Sequence, residues 1–289
     1  MRLKPWPIAV TAVLALTACS TSVAQSAQVS PTPSPSARVT IAATPSPAPS
    51  LIPTVIDAAY VANELGGVEA AIRAPNTPTF EYADLGQRQQ HAYHLMAAHP
   101  DWAAAVLAGV APSVRSVIQA NLTAAHQIDT LNGARGQLPH WRIVAPPAPE
   151  VLLGYYREAQ QTFGIPWQYL AGINLIETNM GRIKGLSSAG AQGPMQFMPA
   201  TWATFGRGDV NDPHDAILAA GRYLQAAGAA RDISRAIYAY NNSDLYVRAV
   251  SLYAQQMFAN ERAYLGYYNW QVYVETTGGE VLLPEGFSG

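Results

Sequence analysis

One carboxylate in this chain stands apart by its surroundings. Glu177 ends an apolar run that carries Leu170, Ile173 and Ile176, and a polar stretch rich in glycine follows, from Gly185 to Gly193. The spacing of the apolar residues predicts a helix packed against a core, and Asn179 and Gly181 favour its termination. The acid therefore belongs where a buried helix meets a crevice. A carboxyl group lodged beside apolar side chains resists ionisation, so its pKa rises and a proton stays available near neutral pH. Donation of that proton to the oxygen of a glycosidic bond is the chemistry open to such a group. An isolated Glu at a helix end is ordinarily a solvated surface residue, so the reading rests on its neighbours. The glycines downstream stop the helix from continuing and let the backbone approach a ligand closely.

The elements that must hold this acid are helical. Val151 to Phe163 reads as one helix ended by Gly164, and Pro166 opens the next, through Trp167 to Glu177. Pro199 opens a short helix stopped at Gly206. Asp212-Pro213 with Asp215 supplies a cap, a first-turn proline and an acid at the positive helix end, so Ala216 to Ala227 should follow as helix. Ile233 to Tyr240 and Leu245 to Asn260 come next, the latter capped by Asp244 and carrying Val247, Val250, Tyr253 and Met257 on one face. From Trp270 the chain alternates through Val272 and Val274 to a Gly278-Gly279 turn, and Val281 to Leu283 returns as a strand. Such a hairpin is marginal alone and should lie against the helical body, anchored by Trp270. Upstream, Thr54 to Arg73, Leu85 to Ala98, Trp102 to Ala108 and Ser113 to Leu131 show apolar residues at helical spacing. Asp101 is placed to cap the third of these and Pro112 to open the fourth. This auxiliary region is expected to pack on the catalytic part or shape one end of its groove.

The run from Glu177-Thr178 through Ser188-Ala189-Gly190-Ala191-Gln192-Gly193-Pro194-Met195-Gln196-Phe197-Met198-Pro199 to Thr201 resembles the signature of the SLT-type lytic transglycosylases, which have a lysozyme-like fold. A second element of that family, Ala-Tyr-Asn before a Tyr-Val helix, is matched by Ala239, Tyr240 and Asn241 and then Tyr246 and Val247. Two motifs in the right order are far more specific than either alone. The likeness spans roughly Pro149 to Tyr268, and the layout of the chain resembles the secreted actinobacterial branch of the family. Thr178 stands where Ser is usual, Pro194 where Leu is usual, and Asn242-Ser243 where Ala-Gly is common. The second departure bears on subsite preference more than on catalysis.

The resemblance implies a role for each site residue. Glu177 is the expected catalytic acid and then base, acting on the beta-1,4 bond between N-acetylmuramic acid and N-acetylglucosamine in peptidoglycan and closing a 1,6-anhydro ring. The substrate's acetamido group would stabilise the positive centre, so no second carboxylate is needed. Met195 and Gln196 are expected to line the cleft, Tyr240 to lie near the acid, Asn241 to hold local structure or a sugar, and Thr178 to contact the glycan. Neither cofactor nor metal is implied. His91, His94, His99 and His126 lack acids at a ligand spacing, and Asp209, Asn211, Asp212 and Asp215 lack the full calcium-loop pattern.

The remaining sequence bears on where such chemistry takes place. Arg2 and Lys4 precede an apolar run from Ile8 to Leu16, too short to cross a bilayer, which reads as an export signal over residues 1–18. Leu16-Thr17-Ala18-Cys19 resembles the bacterial lipobox, which implies lipidation at Cys19 and attachment to the outer face of a membrane; without lipidation the protein would be released. Cys19 is the only cysteine, so no intrachain disulfide can form. Residues 19–52, rich in Pro, Ser, Thr and Ala, read as an extended disordered tether that cannot repay its ordering entropy by burial. The net charge of −2 gives no electrostatic case for nucleic acid.

The expected fold class is mainly α: a lysozyme-like domain over 150–289 with a small C-terminal β-hairpin, preceded by an auxiliary helical region over 53–138 and a linker over 139–149. Three functions fit this layout. They are a lytic transglycosylase, a lysozyme-type hydrolase that would need a second carboxylate such as Asp209 or Asp215, and a noncatalytic wall-binding lipoprotein with no need of Glu177.

Overall fold

A computed structural model describes residues 55–289, which fall within one compact unit. The export signal, Cys19 and the proline-rich tether lie outside the described residues.

The protein is mainly α-helical, with a group of N-terminal helices and a small hairpin at the C-terminal end. Helix α1, Ala58–Arg73, begins where Asp57 first offers a cap, its carboxylate accepting from the Tyr60 N–H at 2.8 Å, and so starts later than Thr54. Helix α2 spans Tyr82–Ala98 and α3 spans Ala103–Gly109. Asp101 does not cap α3; it lies inside a 3-10 turn, Pro100–Trp102, that feeds the helix directly. Helix α4, Pro112–Asn132, opens on its proline and stops at Gly133, whose φ of 62° suits a residue without a side chain.

A two-residue strand β1, Arg142–Ile143, pairs antiparallel with β2, Ile183–Lys184, so the segment expected to be a plain linker is tied to the loop after the helix that carries Glu177. The two helices between them are α5, Pro149–Phe163, and α6, Trp167–Thr178, separated by Gly164 in the left-handed region. Then come α7, Pro199–Phe205, α8, Pro213–Ala226, and α9, Ile233–Tyr240, the latter two capped by Asp212 and Asp232. Helix α10, Asp244–Ala259, is capped by the Ser243 hydroxyl, which leaves Asp244 as an acid in the first turn instead of the expected cap. A short α11, Ala263–Tyr268, was not evident from periodicity, since six residues are too few to show one. Strands β3, Val272–Thr276, and β4, Gly279–Leu283, form the expected hairpin in the register Val272↔Leu283 to Thr276↔Gly279.

A single buried cluster runs from Val61 and Leu65 of α1 through Ile118 of α4 and Leu170 and Ile173 of α6 to Met257 and Tyr267. The N-terminal helices therefore share one core with the part that carries Glu177. Helix α10 is central to it, flanked by α4 and α6. Gly172 of α6 lets α6 and α10 meet closely: a Cβ there would stand 3.3 Å from the Val250 carbonyl oxygen.

A buried polar cluster crosses this core. Glu69 is fully buried and takes hydrogen bonds from Arg73, Gln89, Tyr93 and Asn121, the Gln89 and Asn121 bonds at 3.0 and 3.1 Å. Asn121 in turn accepts from the Tyr267 hydroxyl at 2.6 Å, and Gln89 accepts from the Trp270 indole at 2.9 Å. Satisfied on every side, this cluster fixes α1, α2 and α4 against α11 and the start of the hairpin. Trp270 is thus an anchor, as expected.

Candidate active site

Glu177 lies in the last turn of α6, where that helix runs out of the core into a cleft of about 830 Å³. The preceding residues Leu170, Ala171 and Ile173 are fully buried, which fixes the direction of the helix, and Asn179 ends it in the left-handed region with φ 50°. The Glu177 carboxyl is half-buried: one side opens to the cleft while protein surrounds the rest. That burial lifts its pKa from 4.5 to about 7, against a smaller downward pull from a hydrogen bond donated by Tyr246. The Tyr246 hydroxyl reaches Oε1 at 2.6 Å, and no other described side chain bonds either oxygen. Oε2 therefore remains free to carry a proton toward the cleft.

The loop opposite is clamped to α6 from behind. The Pro194 carbonyl accepts from Asn174 Nδ2 at 2.8 Å and from the Thr178 hydroxyl at 2.6 Å. Thr178 also accepts from the Gly181 N–H at 3.1 Å. A pair of backbone bonds between Gln192 and Phe197, at 2.9 and 2.8 Å, closes residues 192–197 into a tight turn. Gly193 makes the turn possible: its φ is 74°, and a Cβ would stand 1.9 Å from the Val210 carbonyl oxygen. Gln196 occupies the left-handed region with φ 49° and donates its side-chain amide to Gly193 O at 2.9 Å, which turns it toward the cleft.

The structure brings Glu177, Gln196 and Asn241 together on the cleft surface. Thr178 and Met195 stand behind it. Both are fully buried, Thr178 with its hydroxyl occupied as above and Met195 among core residues. Tyr240 lies close enough to Glu177 for the carboxylate's field to disfavour its ionisation, yet its hydroxyl donates to the Met195 carbonyl at 2.6 Å and not to the acid. Its ring packs edge-on to Phe197 and Tyr223. Asn241 ends α9.

Tyr246, matched in the sequence only as part of the Tyr-Val element, was given no role there, and the structure places its hydroxyl on Glu177. The available signal is its place in the first turn behind Ser243, since helical side chains lean toward the N-terminus and so reach over the preceding loop. Asp209, in the loop before α8, and Asp215, in the first turn of α8, lie outside the cleft lining, and the Asp215 carboxylate accepts from the Asp209 N–H at 2.9 Å. Ligand atoms of Asp212, His214 and Asp215 come within 4.8 Å of one another. Each is already engaged, Asp212 as the α8 cap, Asp215 with Asp209 and His214 with Glu158 at 2.9 Å. Among the described residues no helix is long and apolar enough to cross a membrane.

No curated protein and no solved structure matches the chain. The family model described as "Transglycosylase SLT domain" matches residues 154–261, the stretch from within α5 to just beyond α10 that holds Glu177, the 192–197 turn and Tyr246. At the level of the family, residues 154–261 of this chain are an SLT-type lytic transglycosylase domain.

Proposed function

We propose that the chain is a peptidoglycan lytic transglycosylase, cleaving the beta-1,4 bond between N-acetylmuramic acid and N-acetylglucosamine with formation of a 1,6-anhydro ring. The observation that carries this reading is the isolation of Glu177. Among the described residues the influences that shift its pKa are burial and the Tyr246 hydroxyl, with no carboxylate among them, and the other carboxylates that line the cleft, Asp129, Glu275 and Glu280, come from α4 and the hairpin. A hydrolase of the two-carboxylate kind needs a partner on the far face of the sugar. A single acid near pKa 7 suits a reaction in which the same group gives and then takes a proton.

In the first step Glu177 Oε2 delivers its proton to the glycosidic oxygen as the C1–O bond breaks, and the N-acetylglucosamine side leaves as an alcohol. The neighbouring acetamido oxygen stabilises C1. In the second step the Glu177 carboxylate removes the proton of the muramic C6 hydroxyl, whose oxygen bonds to C1 and closes the anhydro ring. The carboxyl is then protonated again and no water is consumed. Tyr246 holds Oε1 throughout and stabilises the carboxylate between the steps. A tether from a lipidated Cys19 places this domain in the cell envelope, within reach of the polymer.

The test is mass analysis of soluble muropeptides released from purified peptidoglycan by the full chain, beside Glu177→Gln. Products one water lighter than reducing muropeptides, and absent with the variant, are expected. Reducing products that depend on Glu177 would make the protein a hydrolase, and binding without products would make it a noncatalytic wall protein.

A further inference from the structure

The cleft that holds Glu177 extends well beyond residues 154–261, and its remote wall is built from chain on either side of that segment. Helix α2, the last turns of α4 and the β3–β4 hairpin meet there. His94 of α2 joins the hairpin twice, through a polar contact with Glu280 and by lying over the Tyr273 ring with centroids 4.3 Å apart. The segment that leaves α4 then runs on as a strap. Arg135 donates its N–H to Glu275 O at 2.9 Å and accepts from the Thr277 N–H at 2.9 Å, so the strap is sewn to the hairpin. At its other end the Trp141 indole donates to Leu186 O at 3.4 Å, Val144 donates to Arg182 O at 3.0 Å, and β1 pairs with β2. The strap thereby joins the hairpin to the loop that follows α6, and Arg135 and Trp141 themselves line the cleft, the guanidinium 5.2 Å from the indole centroid. The C-terminal tail backs it, with Ile143 and Gly286 bonded to the tail and strap at 2.9 Å and Gly289 donating to Trp141 O at 3.0 Å.

A groove that passes a continuing polymer needs two open ends. Here α4, α2, the hairpin, the strap and the loop after α6 all border the cleft and are joined in that order by the Asn121–Tyr93 bond, the His94–Tyr273 ring contact, the Arg135 backbone bonds and the Trp141–Leu186 bond. Ser188, Gln196 and Asn241 give the cleft a polar lining from the SLT segment, which also carries Glu177. Parting the wall would require breaking several backbone bonds at once. Asp129 and Asn132, exposed side chains that line the same cleft, offer acceptors and donors for the hydroxyls of a terminal sugar.

We infer that the flanks outside the SLT segment close one end of the cleft, so that a glycan strand enters by its terminus and is shortened from that terminus, not cut at interior bonds. The inference rests on the glycan-cleaving reading above, and its test separates the two.

Peptide-free glycan strands of known length are digested by the full chain, and the size of both product and residual strands is followed at low conversion. Small fragments of uniform size, with residual strands keeping nearly their starting length, are expected. Mid-length fragments from the outset would overturn the closed end while leaving the transglycosylase reading intact. Reducing in place of anhydro ends would overturn the reaction but not the mode of entry. With the Glu177→Gln chain, binding to strands of increasing length gives a readout free of catalysis. A stoichiometry that stays constant per strand supports terminal entry, and one that grows with strand length overturns it.

Discussion

The character of this site is set by how one carboxyl group is surrounded. Glu177 has its pKa raised to about 7 from 4.5, so below pH 4.5 it is protonated whether the chain is folded or not. Between those values the unfolded chain ionises and the folded one resists, so the group's contribution to stability is lost as pH rises toward 7. Glu177→Gln is therefore expected to stabilise the fold above pH 7, by on the order of 1–3 kcal/mol, and to have no effect near pH 4. Urea unfolding of both proteins at the two pH values checks this, and the same substitution should lower activity by at least about 100-fold. Tyr246→Phe removes the one hydrogen bond that opposes the shift. On the proposed reading, in which Glu177 is the proton donor, the pH above which activity falls should then move alkaline by roughly one unit. An unchanged profile in Tyr246→Phe would mean that its hydroxyl does not touch the carboxyl. The departures from the family signature also resolve at this scale. Pro194 lends its carbonyl to Asn174 and Thr178, a role that any residue's backbone could fill, and Thr178 supplies a hydroxyl as Ser would.

Among the elements, the auxiliary helices are bound to the rest through a buried charge. Glu69 and Arg73, both on α1, form a pair whose carboxylate is wholly buried and whose neighbours come from α2 and α4. Arg73→Met leaves that carboxylate without its cation and is expected to cost about 3–5 kcal/mol in urea unfolding, whereas Glu69→Gln in the Arg73→Met background should recover much of the loss. Most helices here were legible from sequence because their ends carry chemistry: Pro112, Gly164, Pro199, Gly206 and Asp212 each start or stop one as their types dictate. Asp101 and Asp244 misled for a shared reason. A capping residue acts only if the backbone around it is extended, and in one case a 3-10 turn occupied that position while in the other Ser243 took it first. The acid and the glycine-rich loop that follows it were legible as local sequence, but the closure of residues 192–197 into a turn was not. Tyr246 as the acid's partner, the burial of Thr178 and Met195, and the β1–β2 pairing depend on segments brought together from far apart, which no local pattern encodes.

At the scale of the whole molecule, the matched SLT segment and the folding unit do not coincide. Helix α10, inside the segment, packs along α4, outside it, and Tyr253 and Trp270 meet edge-on across the same boundary with ring centroids 5.8 Å apart. Removing the flanks would expose the face of α10 that packs on α4 and the side of Tyr253 that meets Trp270, an apolar surface that a soluble monomer rarely carries. The same removal would take away the remote wall of the cleft. A fragment limited to residues 154–261 is therefore expected to keep far-ultraviolet signs of helix while losing the near-ultraviolet aromatic signal, and to be cleaved rapidly by proteases under conditions where the intact chain resists. Adding residues 55–132 back as a separate polypeptide should not restore the signal unless the C-terminal residues are also present, since α11 and Trp270 complete the Glu69 cluster from the other side. A fragment that folded alone with a native aromatic spectrum would show instead that the flanks were added to a self-sufficient domain, and that the shared core is a consequence of packing and not a condition of it.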